Sequence, residues 1–97
     1  MLYDNLAVNE QGHLTVGGLD TVALAEEFGA PLYVLDEDKL RENCRTYVQA
    51  LRENMPEGSY PLFAGKALCF KGLYPVLNEE GMGADVASPG EIYTALA

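Results

Sequence analysis

Residues 61–91 read PLFAGKALCFKGLYPVLNEEGMGADVASPGE, and their order decides the fold. The apolar run Pro61–Ala67 predicts a strand. A helix follows it, ending near Glu80 with Gly81 as its stop. Pro75 marks either the first residue of a late helix start or a kink. Gly83–Ala87 predicts the next strand. Ser88 and Glu91 then have the S-x-x-E spacing of a capping box, with Pro89 at N1, so a second helix begins there. The connections are too short for a hairpin between the two strands. Strand, helix, strand, helix implies a parallel sheet or the start of a (β/α)8 barrel, an α/β fold class. A parallel sheet is buried on both faces, which two strands cannot achieve. The last helix, Ile92 to Leu96, lacks a C-cap signal before Ala97. The expectation is an N-terminal piece of a longer protein, poorly stable alone.

Upstream, Met1 to about Gly18 reads as loop punctuated by Gly12, Gly17 and Gly18, with a short strand at His13–Val16. Asp20 is a candidate N-cap for a compact helix with Val22, Ala25 and Phe28 on one face and Gly29 at C′. Leu32–Leu35 reads as a short strand. The clearest helix runs from Glu37 to Glu53, capped by Asp36 or Asp38. Its Leu40, Cys44, Tyr47, Val48 and Leu51 recur at helical spacing.

The 97 residues carry 15 acids against 6 bases, a net charge of −9. Nucleic-acid or anionic-membrane binding would need a basic face, so neither is expected. No secretory signal and no apolar run of membrane-spanning length are visible, and a reduced, cytoplasmic setting fits best. Cys44 and Cys69 form no CxxC or zinc-spaced pattern and read as small core hydrophobes. With His13 the single histidine, no metal site is expected.

Lys66 is the residue that needs explaining, because no acid lies within four positions of it and apolar side chains surround it. Strand alternation puts Leu62, Ala64 and Lys66 on one face, and Gly83, Asp85 and Ala87 on one face of the next strand. If the strands are parallel neighbours, Lys66 and Asp85 both lie toward their C-terminal ends, where (β/α) barrels carry their chemistry. Small residues beside both charges leave room for a flat ligand. A lysine amine is nucleophilic when neutral, a form that partial burial favours, and Schiff-base formation uses such an amine. Pyridoxal phosphate is the commonest aldehyde held in this way. Two plainer readings stand beside this one: a snorkelling lysine, or half of a salt bridge. Asp85 taken alone is an ordinary βα-turn residue, and Glu91 is most simply a capping-box residue.

Three segments in register, GAPLYVLDEDKLRENCRTY, PLFAGKAL and EEGMGADVASPGEIYTALA, resemble the N-terminal part of the fold-type III, pyridoxal-phosphate-dependent amino-acid decarboxylases. Their diaminopimelate branch is the most similar. The resemblance covers about residues 20–97. It implies an alanine racemase-like (β/α)8 barrel, with residues 1–35 packing on a C-terminal β-domain and residues 36–97 forming the first barrel units. It implies that Lys66 binds pyridoxal 5′-phosphate, that Asp85 and Glu91 stand beside the cofactor and lysine, that Ala64 lies against the cofactor ring, and that Ser88 sits at the barrel mouth. The implied reaction is decarboxylation of meso-diaminopimelate to L-lysine, a small-molecule amino-acid substrate, in a homodimer to which a partner subunit contributes a cysteine. The phosphate loop, the acid facing the pyridine nitrogen and the substrate-carboxylate arginine lie beyond Ala97 in such proteins, so the chain is expected to be inactive alone.

The match departs from the family after Lys66-Ala67, where many members have Asn and this chain has Leu68; no asparagine role carries over. Ornithine, arginine and carboxynorspermidine decarboxylases share the lysine strand and are the alternative substrate classes. A non-catalytic regulator on the same barrel is a second alternative, and a small acidic interaction module complete at 97 residues is a third.

Overall fold

The computed structural model describes residues 3–97; Met1 and Leu2, part of the expected N-terminal stretch, lie outside the described residues. The chain divides into two compact units, Met1–Leu40 and Arg41–Ala97.

The first unit begins with an antiparallel meander of β1 (Leu6–Val8), β2 (Leu14–Val16) and β3 (Leu19–Asp20) where the sequence suggests mostly loop. The strand expected at His13–Val16 is β2; β1 and β3 are additional. In the first hairpin, Asn9 Oδ1 accepts from the backbone N–H of Gln11 and His13 at 3.1 and 2.9 Å. The second hairpin turns on Gly17 and Gly18, with φ of +56° and +82°. Two consecutive positive φ values define the turn whose twist matches paired strands, and glycine adopts them without steric cost.

Helix α1 (Thr21–Phe28) follows at once. Asp20 is its N-cap, accepting from Val22 N–H at 2.8 Å and Ala23 N–H at 3.3 Å. Gly29 ends it at φ +88°. Leu32–Leu35 departs from expectation: it pairs with no strand among the described residues, and all four side chains are exposed. A strand is stabilised by its cross-strand neighbours, and this segment has none.

Helix α2 (Glu37–Asn54) starts where expected. Asp36 caps it by accepting from Lys39 N–H at 3.1 Å, and also accepts from the Asn5 amide at 3.1 Å. Both bonds hold its carboxyl below the usual carboxylate range. Of the apolar stripe, Cys44 is buried, Leu40, Val48 and Leu51 are half-buried, and Tyr47 faces solvent.

The second unit contains two parallel strands, β4 (Leu62–Ala64) and β5 (Gly83–Asp85), with Leu62, Phe63 and Ala64 opposite Gly83, Ala84 and Asp85. Helix α3 (Leu73–Glu79) connects them and helix α4 (Pro89–Leu96) follows. Helix α3 starts at Leu73, before Pro75, which is therefore not its first residue, as one reading expected, but lies in its first turn, where its missing N–H would have no intrahelical partner anyway. Gly81, at φ +81°, follows the end of α3.

The core is small. Leu73, Tyr74 and Leu77 on α3 are buried with Cys44 of α2. Full burial of a leucine is worth about 1.5–3 kcal/mol. Arg41 and Arg45 of α2 bind the end of α3: Arg41 reaches Glu79 at 2.8 Å and Glu80 at 3.0 Å, and Arg45 holds Glu80 at 2.8 Å. The outer face of α4 stays open, with Ile92, Tyr93 and Leu96 exposed. Among the described residues no helix is long and apolar enough to cross a membrane.

Candidate active site

β4 is shorter than the apolar run suggests. It stops at Ala64, and Gly65–Ala67 curls into a 3-10 turn. Gly65 is buried where the chain turns: a Cβ there would lie 2.8 Å from Tyr74 Oη and 3.0 Å from Glu91 Oε1. Lys66 therefore does not continue the strand alternation with Ala64. It sits on the turn just past the C-terminal end of β4, with an exposed side chain and no hydrogen bond or ion pair among the described residues. The burial raised as one reading of the surrounding apolar sequence is not seen.

Asp85 closes β5 as the register partner of Ala64, so the parallel pairing brings Ala64, Asp85 and the Lys66 turn to one end of the sheet. β5 also ends earlier than expected, at Asp85 rather than Ala87. The Asp85 side chain is exposed, and its backbone oxygen lies 3.5 Å from the position a Gly65 Cβ would take.

Ser88 is the N-cap of α4, its Oγ accepting from Glu91 N–H at 3.2 Å. The reciprocal half of a capping box has a different donor: Glu91 Oε2 accepts from Ala87 N–H at 3.1 Å, not from Ser88. Glu91 Oε1 is buried beside Gly65 with no hydrogen-bond partner. Glu91 thus caps with one oxygen and offers the other to the Lys66 turn.

Tyr74 and Gly65 complete this cluster, and the sequence reading passed over both. Burial pushes the Tyr74 hydroxyl above its usual range, with the Cys69 thiol and Glu91 charge acting in the same direction. Its hydroxyl donates to Cys69 Sγ at 4.0 Å. The available signal was the glycine placed immediately before the lysine, a residue type favoured where another group approaches the backbone closely. Of the two cysteines, Cys44 is the core residue expected, while Cys69 is exposed. Burial raises the Cys44 thiol above its ordinary value, with Glu80 adding to the effect. Among the described residues no group of three His, Cys, Asp or Glu side chains could hold a metal ion.

A primary amine at a strand end, carboxylates on the neighbouring strand end and helix, and small residues at Ala64 and Gly65 suit an aldehyde-bearing cofactor. The unpartnered Glu91 oxygen is a polar group still lacking a donor on that side.

No family model matches the chain. It is 46% identical over 99 residues to a diaminopimelate decarboxylase of Methanothermobacter thermautotrophicus, covering 98% of this chain and 22% of that protein. It is 39% identical over 89 residues to the Bacillus subtilis diaminopimelate decarboxylase, covering 92% of this chain and 20% of that one. The crystal structure of M. jannaschii diaminopimelate decarboxylase in complex with L-lysine superposes with a TM-score of 0.77 at 32% identity, over 96% of this chain and 22% of that chain. The chain spans about a fifth of the length of the curated relatives it matches. Those relatives are decarboxylases of the diaminopimelate branch, and the α/β class read from the sequence is that of the matching stretch. Over nearly its whole length the chain is similar to about a fifth of the length of diaminopimelate decarboxylases from several organisms.

Proposed function

We propose that this chain supplies the cofactor lysine of a pyridoxal-phosphate-dependent decarboxylase that converts meso-diaminopimelate to L-lysine. The observation that carries the reading is the parallel pairing of Ala64 with Asp85, with Lys66 on the turn immediately beyond. Lys66 would hold pyridoxal 5′-phosphate through its Nζ, Ala64 would lie against the ring, and Asp85, Glu91 and Ser88 would line the same end. When bound, the cofactor would supply an electron sink for the pair left on the substrate Cα as CO2 departs. Lys66 would provide the amine that holds it, and Asp85 and Glu91 would orient that amine.

Residues 1–35 would associate with a β-domain and residues 36–97 would form the first units of the barrel. The working enzyme would be a cytoplasmic homodimer acting on a small amino acid. The similarity to diaminopimelate decarboxylases favours this substrate over the polyamine-branch alternatives.

The test is an absorbance titration of the chain with pyridoxal phosphate. The reading expects a saturable Schiff-base band that is lost in Lys66→Ala and kept in Lys71→Ala. A band indifferent to Lys66→Ala would contradict it.

A further inference from the structure

Two oxygens approach Gly65, and neither is well served. Glu91 Oε1 has no hydrogen-bond partner. The Tyr74 hydroxyl, in a side chain only 7% exposed, has Cys69 Sγ at 4.0 Å as its acceptor. That distance is at the limit for sulfur, which is a weak acceptor. Both oxygens lie within 3.0 Å of the single point that a Gly65 Cβ would occupy. A carboxylate is a much stronger acceptor than a thiol, and a buried one without a donor is costly. A hydrogen bond between the phenol and that carboxylate oxygen would serve both groups at once.

We propose that Tyr74 is a positioning residue for Glu91, its hydroxyl donating to Glu91 Oε1 through the space left by the absent Gly65 side chain. Ala87 N–H holds the other carboxylate oxygen. The two bonds together fix the carboxylate in one orientation beside the turn that carries Lys66. Gly65 is required because any side chain there would occupy the path of the bond. The role of this arrangement in cofactor binding rests on the proposed function; the hydrogen bond itself does not.

The titratable groups that act on the Tyr74 hydroxyl are the Cys69 thiol and the Glu91 carboxylate, and Lys71 lines a cleft with the Tyr74 side chain. The test is a titration of the full chain with 13Cζ-labelled tyrosine, the Tyr74 resonance being assigned from Tyr74→Phe. A carboxylate that accepts from the phenol favours its protonated form. Glu91→Gln keeps the shape and removes the charge, so it should lower the Tyr74 midpoint by more than Cys69→Ala does. An equal or smaller shift than that of Cys69→Ala, or no shift, would overturn the proposal. In a Gly65→Ala background the effect of Glu91→Gln should disappear; if that variant does not fold, the comparison of the other two decides alone. No cofactor enters this measurement. Loss of the Tyr74–Glu91 coupling with Lys66 still forming its Schiff base would remove this inference and leave the proposed function standing, and the converse result would do the reverse.

Discussion

Ala64 and Asp85 are partners in a parallel ladder, and each is the last residue of its strand. That pairing brings the Lys66 turn and Asp85 to one end of the sheet. Because β4 ends at Ala64, Lys66 rides on a 3-10 turn over the sheet end. Because β5 ends at Asp85, the chain can turn through Val86 and Ala87 to the cap at Ser88 and return Glu91 toward Gly65. Short strands, rather than the longer ones the apolar pattern suggests, bring these groups to one end.

Gly65 should tolerate a side chain poorly. A Cβ there meets Tyr74 Oη at 2.8 Å and Glu91 Oε1 at 3.0 Å, and Tyr74 is buried and cannot retreat into solvent. Gly65→Ala should cost about 1–3 kcal/mol as an overpacked site. Gly90 is the control, since its nearest neighbour would be Ser88 Oγ at 3.9 Å and its backbone is helical. Gly90→Ala should be neutral or stabilise by up to about 1 kcal/mol. Urea unfolding of the two variants checks both expectations.

Glu80 should matter more to stability than its neighbour Glu79. Its side chain is 9% exposed and is gripped by both Arg41 and Arg45, whereas that of Glu79 is 61% exposed and meets only Arg41 among the ion pairs described. Hydrogen bonds from Arg45 and Arg41 hold the Glu80 carboxyl below its usual range. Glu80→Gln should lower the thermal midpoint more than Glu79→Gln does. Thermal melts of the two variants at equal salt read the difference.

The first unit should lose stability in acid through Asp20. The His13 ring at 2.9 Å and the Asn9 amide at 2.8 Å join the two capping N–H groups in holding its carboxyl down to about 2, from 3.8. A carboxyl depressed in the folded state stabilises above its unfolded value, and that contribution is lost as pH falls through the folded one. The loss should therefore fall between about pH 4 and pH 2, and Asp20→Ala should flatten that part of the profile. Helical signal followed across that range measures it.

The parts of the fold that were legible were those written in local chemistry. Asp20, Asp36 and Ser88 announce their helices because a short polar side chain before an apolar periodic run satisfies N–H groups that the helix cannot. The parallel pairing followed from the alternation of strand and helix. Three features were not legible. The β1–β3 meander is built from strands of two or three residues, too short to show a period, although Gly17-Gly18 was a usable hairpin signal. Leu32–Leu35 has strand composition, but composition cannot supply a partner. The 3-10 turn at Lys66 begins at Gly65, which is crowded by Tyr74 and Glu91 from nine and 26 residues away in the sequence. In the site, the strand-end place of Asp85 followed from the alternation, Lys66 was expected on the strand rather than on the turn beyond it, Glu91 was placed by spacing only as a capping residue, and Tyr74 looked like any other apolar residue of α3.

The most direct test of the central claim is to incubate the chain with pyridoxal phosphate, reduce it with borohydride and map the modified peptides. Lys71 is the internal standard, an exposed lysine five residues from the exposed Lys66. The account predicts that the reduced adduct is found on Lys66 in several-fold excess over Lys71, and that Lys66→Ala does not transfer it to Lys71. Equal labelling of the two lysines would mean that position at the sheet end confers nothing, and would contradict the account.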